Sequence, residues 1–96
     1  MITSNEIEQK LKEIKPILEA EFLVDQIGYF GSFARGDYRE DSDVDIIVAC
    51  KRGIGWKFFD LKEYLESVLG RRVDLVTENS LRKNWKERIL SQVKYL

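Results

Sequence analysis

The chain has 96 residues, 44% of them hydrophobic and 34% charged, which suits one domain over residues 1–96 with a thin core and excludes a disordered tail or a second, substrate-recognition domain. Sixteen basic against seventeen acidic residues leave a net charge of −1, so the general attraction to polyanions is missing and strong nucleic-acid binding is not expected. The absence of histidine removes imidazole bases, Ser-His-Asp and Cys-His nucleophiles and histidine-ligated zinc, so any chemistry must come from carboxylates.

Thr3 or Ser4 can cap a first helix over about residues 4–21, with Glu6 placed for a capping box and Ile7, Leu11, Ile14, Ile17 or Leu18, and Phe22 at helical spacing. Pro16 lies inside this pattern and lacks the amide that the preceding turn needs, so a kink or break near Lys15 is expected. Val24 to Phe30 is a strand candidate ending in Gly31-Ser32, followed by a short helix or turn from Ser32 to Gly36. After the polar stretch Asp37 to Ser42, a second strand runs from Asp43 to Cys50. The single Cys50 cannot form an internal disulfide, and at the end of the run Ile46 to Cys50 it is expected to pack as a small buried hydrophobe.

Lys51 to Gly55 reads as a loop. Trp56 to Leu69 reads as a helix with Gly70 as its C-terminal cap, and Arg72 to Thr77 as a third strand. Ser80 then caps a last helix whose Leu81, Trp85, Ile89 and Val93 form one apolar stripe. The order αβαβαβα predicts an α/β fold, a two-layer sandwich on a small mixed sheet. No apolar stretch approaches the roughly 20 residues of a membrane span, and residues 1–4 open directly onto charged amphipathic sequence, so a cytoplasmic protein with no membrane association is expected.

The chemistry concentrates in residues 31–46. Side chains two apart on a strand share a face, so Asp43 and Asp45 project together while Val44 and Ile46 turn inward. Two carboxylates a few ångströms apart repel unless a cation lies between them or one is protonated. All-oxygen ligation suits Mg²⁺ or Mn²⁺, and Mg²⁺ takes its remaining ligands from water and substrate phosphates, so the pair implies a phosphate substrate. Asp74, between Val73 and Leu75 on the third strand, can face the same site if its strand lies beside the second, allowing two metal ions to align an attacking oxygen with a phosphorus. Gly31 at a strand end lets backbone approach a phosphate, and Ser32 adds a hydroxyl and a helix start. Gly-Ser and Asp-x-Asp are each weak signals alone. Together, with ten residues between them and flanked by apolar strand residues, they are hard to obtain by chance.

With Gly31-Ser32-Phe33-Ala34-Arg35-Gly36-Asp37 followed by Ser42-Asp43-Val44-Asp45-Ile46, the chain resembles the DNA polymerase β-like nucleotidyltransferase superfamily, and within it the minimal nucleotidyltransferases related to MntA antitoxins. The resemblance spans nearly the whole chain. It implies a polymerase β palm-like fold, a nucleoside triphosphate held at Gly31 and Ser32, two catalytic metal ions bound by Asp43 and Asp45, and Asp74 as third carboxylate. It further implies a helical HEPN-family partner, with AMP moved from ATP onto a tyrosine of that partner to silence it.

Other residues invite weaker readings. Arg35 and Arg39 flank the phosphate site but have Asp37, Glu40 and Asp41 beside them, which favours solvated arginines. Trp85 and Tyr95 can stack on a base or meet a partner, although Trp85 lies on the apolar stripe and reads as core. Arg71, Arg72, Arg82, Lys83, Lys86 and Arg88 make local basic patches, with a solvated face the preferred reading. The same fold can also act as a non-catalytic module that neutralises a partner by covering it, or transfer to a small molecule or an RNA end. Self-association into a homo-oligomer is left open.

Overall fold

The computed structural model describes residues 2–96. Helix α1 covers Ser4–Phe22, strand β1 Val24–Phe30, helix α2 Ser32–Arg35, strand β2 Val44–Cys50, helix α3 Lys57–Leu69 and strand β3 Val73–Thr77. A 3₁₀ turn over Glu78–Ser80 leads to helix α4, Lys83–Leu90, and a short strand β4, Lys94–Tyr95. The strands form one mixed sheet in the order β3-β2-β1-β4. Strand β1 is antiparallel to β2 and β4, whereas β2 and β3 run parallel, α3 supplying the crossover. The expected α/β architecture on a small mixed sheet is what forms.

Thr3 caps α1, its hydroxyl accepting from the Glu6 amide at 3.2 Å. Ile7, Leu11, Ile14 and Leu18 form its buried stripe. They meet Leu61, Leu65 and Leu69 of α3 and the sheet residues Ile27, Tyr29, Val44, Ile46, Val48, Val73 and Leu75 in one core. Tyr29 reaches through this layer to donate to Glu8 at 2.5 Å, which fixes α1 on β1. Burial and the facing Glu8 carboxylate together push the Tyr29 phenol well above its usual range.

Several expectations are corrected. Helix α1 runs as a single segment of 19 residues through Pro16 without the break predicted near Lys15. Pro16 itself is exposed, and the stripe on either side of it is held by the core, so packing outweighs one lost backbone hydrogen bond. Cys50 is only half-buried because β2 ends at it, and partial burial still pushes its thiol up. Ser80 closes the 3₁₀ turn, its hydroxyl donating to the Thr77 carbonyl at 2.8 Å, and Arg82 stands at the N-cap of α4.

The last helix also stops at Leu90, short of the predicted stripe's end. Tyr95 pairs with Gly28 and Lys94 with Tyr29 in a fourth strand that the sequence reading lacks. A Cβ on Gly28 would lie 2.6 Å from Val93 Cγ1 and 2.9 Å from the Lys94 carbonyl, so the glycine makes this close approach possible. The Leu96 amide donates to the Ile27 carbonyl at 3.0 Å, and Lys15 Nζ donates to the Leu96 carbonyl at 2.7 Å.

Candidate active site

The site sits where β1 ends and β2 begins. Phe30 is paired with Asp45, and Asp45 in turn with Asp74 across the parallel β2–β3 ladder. Gly31, Asp45 and Asp74 therefore follow one another across three adjacent strands. Asp43 stands just outside β2, which starts at Val44 rather than at Asp43 as expected, and it is exposed. Its charge still acts on Asp45.

Gly31 is indispensable here for a geometric reason. Its φ is +69°, and a Cβ would lie 2.0 Å from Oδ2 of Asp45. Backbone and carboxylate are thus in direct apposition, with no side chain between them. The Gly31 carbonyl accepts from the Ala34 and Arg35 amides at 3.1 and 3.0 Å, turning the chain into α2. Ser4 holds that turn from α1, its hydroxyl donating to the Phe33 carbonyl at 2.7 Å.

Burial pushes the Asp45 carboxyl up to about 6, the charges of Asp74 and Asp43 and a hydrogen bond to Asp74 push the same way, and Arg35 opposes them. At neutral pH an ionised Asp45 therefore faces other carboxylates from a half-buried position. This is the electrostatic situation a divalent cation relieves. The donors are all carboxylate oxygens, hard ligands that fit Mg²⁺ or Mn²⁺ and leave positions open on the exposed side of Asp43 and Asp74. Among the described residues, no three acidic or cysteine side chains are already gathered at metal-ligand spacing.

Two arginines behave differently from the sequence reading. Arg71, placed there in a basic patch, donates from Nε and Nη2 to the Ser42 carbonyl at 3.2 and 2.8 Å and from Nη2 to the Arg39 carbonyl at 3.1 Å, and it also binds the Glu40 carbonyl. Its guanidinium lies 5.4 Å from the centroid of the Phe33 ring, which stacks on Tyr38 at 4.4 Å. One side chain thus fastens the loop that delivers Asp43 to the α2 turn that carries Ser32. The Arg-Arg pair in sequence gave no sign of this, since a guanidinium's carbonyl partners depend on tertiary placement.

Arg35 makes an exposed ion pair with Asp37 at 3.3 Å, as expected, yet it also lines a groove with Gly31 and lies near enough to lower Asp45's pKa. Arg39 is exposed. Trp85, read as core, is 55% exposed, because none of α4 is buried, and Tyr95 is also exposed.

The nucleotidyltransferase domain model matches residues 11–96. The chain belongs to the nucleotidyltransferase family. This nucleotidyltransferase is 45% identical over 97 residues to the protein adenylyltransferase MntA of Thermococcus cleftensis, covering 100% of this chain and 98% of that protein. A solved structure described as a candidate minimal nucleotidyltransferase superposes with a TM-score of 0.85 at 33% identity, covering 99% of this chain and 97% of that one. A chain in a solved complex of a tri-AMPylated Shewanella oneidensis HEPN toxin with an MNT antitoxin is also similar, with a TM-score of 0.61 and 25% identity over 96% of this chain and 66% of that one. Among the described residues of the nucleotidyltransferase, no helix is long and apolar enough to cross a membrane.

Proposed function

We propose that this nucleotidyltransferase transfers AMP from ATP to a tyrosine hydroxyl of a HEPN-family partner protein, using Mg²⁺ held by Asp43, Asp45 and Asp74, and so acts as an antitoxin. The observation that carries this reading is the apposition of Gly31 to Asp45, which sets side-chain-free backbone directly against a carboxylate whose neighbours are also acidic. A chain under no demand for phosphate and metal gains nothing from that combination, because it raises repulsion and confines the backbone to a positive φ. The similarity to an archaeal protein adenylyltransferase over the full chain supports adenylyl transfer in particular. The likeness to a chain in a complex of an AMPylated HEPN toxin with an MNT antitoxin supports the class of acceptor.

In this reading the triphosphate lies along Gly31 and Ser32, with the Ser32 hydroxyl donating to a phosphate oxygen. Asp43 and Asp45 would hold the cations, with Asp74 as the third carboxylate on the side from which the acceptor enters. Bound Mg²⁺ supplies charge neutralisation and a lowered pKa for the acceptor hydroxyl. The acceptor oxygen forms a bond to the α-phosphorus as the bond from that phosphorus to the bridging oxygen breaks, and pyrophosphate leaves with the electron pair. The hydroxyl proton passes to water, which reaches the exposed side of Asp74.

The test is incubation with α-labelled ATP, Mg²⁺ and the purified product of the neighbouring gene. A gain of AMP on a partner tyrosine, absent with Asp45→Asn, is expected. A tight complex whose partner carries no label would establish the non-catalytic binding module instead, and label on an added RNA end or small molecule would change the acceptor.

A further inference from the structure

We propose that the groove between Gly31 and helix α4 is the seat of the nucleotide's base, with Trp85 as its stacking platform; this rests on the nucleotidyl-transfer reading above. The groove holds about 540 Å³, within the range of small-molecule sites, and Gly31 forms part of its wall. It is therefore continuous with the candidate phosphate site. Across from Gly31, α4 presents Trp85 and Ile89, and although α4 is amphipathic it buries no residue. An indole 55% exposed in a concave wall offers a flat apolar surface to a ligand.

Charge selects the occupant. The groove is lined by two guanidinium groups, Arg35 and Arg88, and by no acidic residue. The Arg88 carbon Cζ lies 6.0 Å from the Trp85 ring centroid, so cation and platform sit together. The ion pair that holds Arg35 to Asp37 is exposed, and such pairs are weak. An aromatic base joined to a polyphosphate satisfies both features at once. Gln92, also on the wall, offers an amide donor and acceptor to a base edge.

Topology separates this seat from the acceptor. Asp74 flanks Asp45 on the β3 side, whereas Gly31 and the groove lie on the β1 side. An in-line displacement places the acceptor opposite the leaving pyrophosphate, so with the triphosphate on Gly31 and Ser32 the β3 side is left for the acceptor.

The test uses the Trp56→Phe protein, in which Trp85 is the sole indole. ATP with Mg²⁺ is expected to quench Trp85 saturably, whereas inorganic triphosphate displaces ATP without quenching. Trp85→Leu should raise KM for ATP about tenfold or more, since stacking on an aromatic side chain is worth roughly 1–3 kcal/mol per base, with little change in kcat or in inhibition by triphosphate. Trp85→Phe should restore most of the loss. Equal quenching by triphosphate and ATP, or an unchanged KM in Trp85→Leu, overturns the proposal, as does quenching only by the partner protein while labelled ATP binds normally. If labelled ATP does not bind at all, the transfer reading fails and this one with it.

Discussion

The two faces of the sheet are built on opposite principles. On one, Val44, Ile46 and Val48 of β2 join Leu11, Leu18, Leu61 and Leu65 in a core where every side chain is essentially removed from solvent. On the other, reached by alternate residues of the same strands, Asp45 pairs in register with Asp74 and presses on Gly31. The first face lowers the free energy of folding. The second raises it by bringing like charges together, and that repulsion is what a cation with a bound polyphosphate removes. Substituting the carboxylates of this open face should therefore spare or improve stability while destroying activity, although Ile47 beside them is fully buried, and substitutions on the packed face should cost stability while sparing activity.

The largest effect is expected from Asp45→Asn, which keeps the shape but removes a ligand. Turnover should fall by at least about 10²–10³-fold, the loss typical of removing one electrostatic stabiliser of a transition state, with circular dichroism unchanged. Retention of full Mg²⁺-dependent transfer would break the assignment of the open face. The counterpart is Leu65→Ala, which empties a fully buried position between α3 and the sheet. It should cost about 2–5 kcal/mol of unfolding free energy, read from urea denaturation, while kcat per folded molecule stays near wild type. A large drop in kcat at full occupancy of the fold would mean that the faces are not independent.

Arg71 joins the two regimes, and its replacement should give an intermediate effect. In Arg71→Met the carbonyls of Arg39, Glu40 and Ser42 lose their donor and the stack on Phe33 loses its cation. Hydrogen bonds to charged groups contribute about 1.5–3 kcal/mol each when buried, and less here because the loop is exposed. The expected outcome is a Mg²⁺ midpoint raised about tenfold, because Asp43 is no longer held, with kcat at saturating Mg²⁺ changed much less. An unshifted Mg²⁺ midpoint would make Arg71 a stabilising residue only.

Much of this was legible in the chain because the signals are local. Thr3 with Glu6, the alternation from Val44 to Val48 and Gly70 after Leu69 each report a backbone requirement within a few residues. The spacing of Asp43 and Asp45 states a shared face only for a strand that includes both, and β2 starts at Val44. Asp74 needed more, namely that β3 lie parallel beside β2, which its own motif could not say. The C-terminal segment was misread for the same reason. Leu81, Trp85, Ile89 and Val93 have helical spacing, but whether a stripe is covered depends on neighbours, and here α4 is left open while Val93 packs on Gly28. The one available clue was Gly28 inside a strand, a sign of close approach that names no partner.

The smallest expected effect is the most direct measure of the contrast between faces. Asp45 titrates near 6 in the folded chain, against 3.8 for its ordinary value, so the folded state holds this proton more tightly than the unfolded one. Ionised Asp45 consequently opposes folding above about pH 6, and the penalty fades as pH falls from 6 towards 4. In metal-free buffer at pH 7.5, Asp45→Asn should melt higher than wild type. Half-burial and solvent screening limit the gain to roughly 1 kcal/mol, about 4–8 °C for a domain of this size. At pH 4.5 the two melting curves should nearly coincide. Adding Mg²⁺ at pH 7.5 should raise the wild-type midpoint and leave Asp45→Asn where it was, because a cation stabilises the fold only where the carboxylates can bind it. A wild-type protein that melts above Asp45→Asn without metal at pH 7.5 would mean that the open face carries no stored repulsion.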